Sequence, residues 1–483
     1  MKKIFFIAIN LIIISAFCLS VYAQTPDRTK PPQLPAPQKL NLPSIQQFKL
    51  SNGLRVVLME KHEVPLIQLD LIVKMGSVND PENKVGLATL TMDMLDEGAA
   101  GKSSLELADA IDFLGARIST GVSAHSAGVY LHTPLSKFDD ALRIMSDIVL
   151  RPDLPQKELD RKKKERLTSL MQTHDQPTAI ASAAFNKILF GKDHPYGRMS
   201  DENTIKSFSV SDLKNFYKKY FTAGNAYIVA VGDIKKDDLK NKLESVFGKW
   251  QKSEVKEEKI KEPVQVGNRV VYLIDKPGAA QSVISIGRIG AARLTSDHNS
   301  IIVMNTLLGG SFTSRLNQNL REKNGYTYGA SSRFAFRPVP GSFVASSSVQ
   351  TEVTDKALKE FFNEFNGIRE PLTEDDLNRA KNLVALSFPE NFQSVAIIAS
   401  QLEEMVEYNL PENYFSDFVS KILSLNGNEV NDAAKKYVVP DQMIVVVVGD
   451  RAKVEEGIKK LNLGEVKNLT IEDVLGKVPK LDN

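Results

Sequence analysis

Residues 320–332 read LREKNGYTYGASS and set an arginine, Arg321, seven positions ahead of Tyr328, with Asn324-Gly325 between them. A guanidinium and a phenol both donate hydrogen bonds. Two such donors aimed at one point can stabilise the oxyanion of a tetrahedral intermediate or polarise a substrate carbonyl. That chemistry needs a helix end and a strand start to converge. Gly325 supplies a turn for it, and Gly309-Gly310, upstream, permits close approach of another stretch of backbone. The plainer alternative is that Arg321 pairs with Glu322 or another acid on a solvated helix, and that Tyr328 packs under a sheet. Spacing alone leaves both open.

The rest of the chain offers little other chemistry. Its six histidines are His62, His125, His132, His174, His194 and His298, and none forms a His-x-x-Glu-His or His-x-x-x-His pair. Those spacings put two imidazoles on one helix face to hold zinc. His125 and His132 fall in the strand-like run SAHSAGVYLHTP, where a separation of seven places them on opposite faces. No Gly-x-Ser-x-Gly elbow and no phosphate-cradling Gly-x-x-x-x-Gly-Lys occur. The only cysteine, Cys18, lies in an apolar N-terminal run.

That run, IFFIAINLIIISAFCLSV, follows Lys2-Lys3 and precedes Val21-Tyr22-Ala23, the grammar of a secretory signal cleaved after Ala23. The alternative is an uncleaved membrane anchor. With cleavage the mature chain has no thiol, no disulfide and no cysteine metal ligand, and no stable membrane anchor is expected. A bacterial periplasmic location follows as an expectation. The 61 Lys+Arg nearly balance the 59 Asp+Glu, so no field implies a nucleic-acid partner.

What must position Arg321 and Tyr328 is a long chain of 483 residues, enough for two cores. Residues 24–44 are proline-studded and polar, an extended lead-in. Residues 251–268, after Trp250, are charged and apolar-poor and read as a linker between domains 45–250 and 269–483. The two halves repeat one another. AYIVAVGD (226–233) recurs as MIVVVVGD (443–450), each after an aromatic, lysine-rich helix end. DLPQKELDRKKKERL (153–167) recurs as PLTEDDLNRAKNLVAL (371–386), and LIQLDLIVKMGS (66–77) as SVISIGRIGA (282–291). LSKFDDALRIMSDIV recurs as VTDKALKEFFNEF in the same order. The expected fold class is α+β, two duplicated domains, each a mainly antiparallel sheet flanked by helices.

This duplication, together with HPYGR (194–198), DKPGAAQSVISIG (275–287) and LLGGSFTSRLNQNLREKNGYTYGASS (307–332), resembles the insulinase/pitrilysin family of inverted zinc-motif peptidases, in its mitochondrial processing peptidase-like branch. The resemblance implies a clam-like chamber, closed with a partner chain around short or unfolded peptides. Active members carry His-x-x-Glu-His on the first helix of the N-terminal half. Here that setting is GLATLTMDML (86–95), with Thr89 and Asp93 at the histidine positions and Met92 at the catalytic glutamate. The third ligand position falls near Leu167. The resemblance therefore implies a chain that binds no zinc itself, paired with a homologous subunit that carries the zinc motif. Members lacking the motif keep an arginine and a tyrosine, here Arg321 and Tyr328, as catalytic contributors to the partner's site. Gly309, Gly310 and Ser311 are the candidate substrate contacts. A non-catalytic structural or peptide-binding role is the alternative.

Overall fold

The computed structural model describes Leu40, residues 42–256 and residues 258–480. The expected signal peptide (1–23) and most of the expected lead-in (24–44) lie outside the described residues. The N-terminal half builds one six-stranded sheet from β1 (Ile45–Lys49), β2 (Arg55–Glu60), β3 (Leu66–Val73), β4 (Arg117–Val122), β5 (Ala127–Pro134) and β6 (Ala226–Gly232), in spatial order β1-β2-β6-β3-β5-β4. The C-terminal half builds a second from β7 (Val270–Asp275), β8 (Gln281–Ile289), β9 (Thr327–Phe334), β10 (Ser342–Gln350), β11 (Ile444–Gly449) and β12 (Glu465–Leu469), in order β12-β7-β11-β8-β10-β9. From the second strand of each order onward the sheets match term by term. In both, one internal pair is parallel, β2 with β6 and β7 with β11, and the pairs beyond it are antiparallel. The outer strands differ: β1 comes from the start of the chain and runs antiparallel to β2, whereas β12 comes from near its end and runs parallel to β7.

The helices repeat in the same way. The first half carries α1 (Leu87–Asp93), α2 (Phe138–Leu150), α3 (Gln156–Asp175), α4 (Pro177–Phe190), α5 (Val210–Tyr220) and α6 (Lys236–Phe247). The second carries, in corresponding places, α7 (His298–Leu308), α8 (Thr354–Gly367), α9 (Glu374–Ser387), α10 (Val395–Glu407), α11 (Gly427–Tyr437) and α12 (Arg451–Lys460). The repeated sequence signals mark their boundaries. Ser209 with Asp212, and Asn426 with Glu429, cap α5 and α11 reciprocally, so the first orphan N–H groups of each helix are satisfied by side chains.

The halves are joined by an exchange. Helix α4 of the N-terminal half lies on β8 and β11 of the C-terminal sheet, and α10 of the C-terminal half lies on β3 and β6 of the N-terminal sheet. Each sheet is therefore covered on both faces, one by its own helices and one by the other half's. This explains why AYIVAVG in β6 and IVVVVG in β11 are apolar without alternation, since every residue of both strands is buried. Ile180, Ala184 and Phe185 of α4 pack on Ile444, Val446 and Val448, while Ile398, Leu402 and Val406 of α10 share a core with Val229 and Val231. Fully burying one such side chain stabilises the fold by about 1.5–3 kcal/mol.

The described part of 251–268 contains no helix or strand. It runs along the N-terminal half, where Thr222 Oγ1 donates to the Ser253 carbonyl at 2.7 Å. No described helix is long and apolar enough to cross a membrane.

Candidate functional site

Helix α7 ends at Gly309, and a Cβ there would lie 2.4 Å from the backbone nitrogen of Ser332 in β9. Glycine thus allows Ser332 N–H to donate to the Gly309 carbonyl at 3.0 Å, which ties helix end to strand. Gly310 N–H donates to the Asn305 carbonyl at 2.7 Å. The Ser311 hydroxyl donates to the Thr306 carbonyl at 3.0 Å, so it closes the last turn of α7.

The chain then turns into a π-helical stretch, Gln318–Lys323, a rare geometry that is frequent at functional sites. It is braced from below: buried Asn319 donates to Glu360 at 2.9 Å and to Glu364 at 2.7 Å on α8. Arg321 rides on its outer side. Its guanidinium carbon stands 4.6 Å from the centroid of the Phe312 ring, and its Nε is 3.4 Å from Glu322 Oε1. Gly325 follows with φ +65°, the left-handed turn read from the sequence. Strand β9 opens with a bulge against β10 between Thr327 and Ala330. The bulge is pinned where Thr327 Oγ1 donates to the Ser348 carbonyl at 2.7 Å and accepts from Ser347 Oγ at 2.9 Å. Tyr328, on the bulge, is 92% exposed and makes no side-chain hydrogen bond among the described residues. It does not pack under the sheet.

Arg321, half-buried and paired with Glu322 as the plainer alternative expected, and Tyr328, presented to solvent against that alternative, therefore stand on consecutive elements. Phe312, which sequence reasoning missed, orients the guanidinium; its signal was an aromatic directly after Gly-Gly-Ser. Beside them β9 and β10 border a groove of ≈ 310 Å³ whose lining includes Ser182, Asn186, Ser331, Arg333, Ser346 and Ser348.

At the other end of the expected site, α1 is held by Asp80, whose carboxylate accepts from Gly86 N–H and Ala88 N–H, each at 2.7 Å. Burial pushes the Asp80 carboxyl up to about 6, against the pull of those two N–H groups. Of the three positions of the degenerate motif, Met92 is fully buried in the core and Thr89 is half-buried. Asp93 Oδ2 accepts from Arg166 Nη2 at 2.8 Å, and Arg166 Nη1 donates to the Gly86 carbonyl at 3.2 Å. Leu167, next to Arg166 on α3, is buried in the hydrophobic core. An ion pair thus links the two helices on which the resemblance places the metal ligands. A guanidinium stays charged at any accessible pH and repels a second cation. These residues do not fit zinc, and among the described residues no group of three or more His, Cys, Asp or Glu is placed to hold a metal.

The histidines do other work. His125 is not on a strand, as the run SAHSAGVYLHTP suggested, but in the bend before β5. The Ser123 hydroxyl accepts from the N–H groups of His125 and Ser126, which stops β5 from extending back to it. His125 Nε2 lies 2.5 Å from Tyr196 Oη, in an aromatic cluster with His194 and Phe190, and Arg337 stacks 4.1 Å over the Tyr196 ring. Burial first, then Arg337, pulls the His125 imidazole down to about 4.

The two matched sheets, the exchanged helices and the ligand-free first helix define a duplicated α+β peptidase-type fold without its metal motif. Residues 55–195 match the family description "Insulinase (Peptidase family M16)", and residues 207–384 match "Peptidase M16 inactive domain". A crystal structure of a peptidase M16 inactive domain from Pseudomonas fluorescens is 30% identical, covers 84% of this chain and 98% of its own, and superposes with a TM-score of 0.79. The "Non-peptidase homolog YmxG" of Helicobacter pylori is 23% identical over 82% of this chain and 92% of its own length. The periplasmic protease PqqL of Escherichia coli is 17% identical, with a TM-score of 0.72 over 86% of this chain and 47% of its own. The chain belongs to the insulinase family, peptidase family M16.

Proposed function

We propose that this chain is a zinc-free subunit of a heteromeric, periplasmic M16 metalloendopeptidase. It binds peptide and presents Arg321 and Tyr328 to a homologous subunit that carries His-x-x-Glu-His and the zinc. The observation that carries this reading is the presentation of the pair: a phenol 92% exposed on a strand bulge, and a guanidinium held on an aromatic ring by a π-helical turn. Bulges and π-turns interrupt regular backbone and recur where a side chain must be aimed. Once a partner excludes water, both groups can donate to the carbonyl oxygen as it becomes an oxyanion. The hydroxyl-rich groove beside β9 suits the polar backbone of an extended peptide, and PqqL, a periplasmic protease about twice the length matched here, supports the location.

A second reading, a non-catalytic structural or peptide-binding relative, is favoured by the Helicobacter pylori relative described as a non-peptidase homologue. Purification of the chain alone, and together with a relative bearing the zinc motif, separates the two. The first reading expects no stoichiometric zinc and no peptide cleavage by the lone chain, and cleavage by the pair that exceeds that of the zinc-bearing subunit alone. An active, zinc-loaded lone chain overturns both readings. A pair no faster than the zinc-bearing subunit alone establishes the second.

A further inference from the structure

The exchange of α10 onto the N-terminal sheet brings carboxyl groups from both halves into one seam, Asp70 buried and Glu403 half-buried. Asp70, in the middle of β3, is only 2% exposed and sits in register between Tyr130 of β5 and Val229 of β6. Gln68, on the same face, donates from Nε2 to Asp70 Oδ1, and its Oε1 faces His132 Nδ1 at 3.1 Å. From α10, which packs on β3, the Glu403 carboxyl comes against that of Asp70, and Glu403 Oε1 is buried without a hydrogen-bond partner. The other titratable groups facing the pair are Tyr130 and His132 from β5, Tyr227 from β6, and Glu407 one turn along α10. Glu404 is turned away, accepting from Arg293. Among the described residues neither Asp70 nor Glu403 has a lysine or arginine partner.

Two carboxyl groups hydrogen-bond one another only when one of them holds a proton. The Gln68 amide donates to Asp70 and favours its charge, which leaves the proton on Glu403. We propose that the Asp70–Glu403 pair is a proton-dependent latch between the halves: the shared proton holds α10 on the N-terminal sheet, and its loss sets two like charges against each other in that seam and loosens it.

Burial raises both carboxyls above their ordinary range, and the Asp70 charge raises Glu403 further. For an acid raised on closing, the stabilisation is fully present below the ordinary carboxylate range and is lost as pH rises through the raised value. The latch therefore weakens toward alkaline pH.

Hydrogen exchange on the full chain, read as protection factors from pH 6 to 10, tests this. Protection of the 395–407 segment falls by up to about tenfold per pH unit on the alkaline side, while α6, packed within its own half, serves as control. Glu403→Gln keeps a neutral donor facing Asp70, so its 395–407 segment holds constant protection and exceeds wild type at the alkaline end. Should Glu403→Gln not fold, Asp70→Asn carries the same expectation. An equal alkaline loss in the variant, or a wild-type segment that tracks α6 at every pH, overturns the latch.

Discussion

At the scale of single residues, the two ends of the expected site have opposite fates. Met92 is core and nothing more: Met92→Ala costs about 2–5 kcal/mol in a urea unfolding curve, as a fully buried truncation should. Tyr328 is the reverse. It stands in solvent, so Tyr328→Phe shifts stability by less than about 0.5 kcal/mol. Any loss of activity in that variant therefore reports chemistry rather than folding. The sequence made the loss of metal ligands plain, because threonine, methionine and aspartate cannot do the work of two imidazoles and a general base. It was silent on what replaced them. Asp93 meets Arg166 only because α1 and α3 pack side by side, and a pair 73 residues apart has no periodic signature. Phe312 stood in plain view after Gly-Gly-Ser, but its contact with Arg321 was not legible, because that rests on the π-turn that brings Arg321 over the ring.

At the scale of elements, the glycines around the pair separate two physical demands. Gly325 has φ +65° with open space around its Cβ position, so Gly325→Ala carries only the left-handed penalty of about 1–2 kcal/mol. Gly309 has no such dihedral demand, but a Cβ there would strike the β9 backbone at Ser332. Gly309→Ala is therefore expected to destabilise more than Gly325→Ala, measured by the same unfolding midpoints. An equal or smaller effect would contradict the strand-to-helix tie. Element identity was largely legible: the paired strings for β6 and β11, α3 and α9, β3 and β8, and α2 and α8 all fall on matching elements. The exchange of α4 and α10 was not. An apolar helix stripe says that a helix is buried, not which sheet it covers, and both sheets present the same continuous apolar strands.

At the scale of the whole molecule, stability is bounded on both sides of neutrality. Burial lowers His125 and His298 to about 4, so each binds a proton more readily once unfolded. A base depressed in the folded state keeps its full contribution above its ordinary value near 6.5 and loses it as pH falls toward 4. Thermal melts are expected to drop across that window, and a His125→Gln/His298→Gln variant to drop less steeply. The proposed function makes this chain half of a composite enzyme, and one measurement addresses that proposal directly. It is the kcat/KM of the purified pair, this chain with a zinc-motif homologue, carrying Arg321→Ala or Tyr328→Phe in this chain only. The account predicts a loss of about a hundredfold or more for either variant with assembly intact, the magnitude of removing one oxyanion donor. An unchanged kcat/KM in both variants would contradict it.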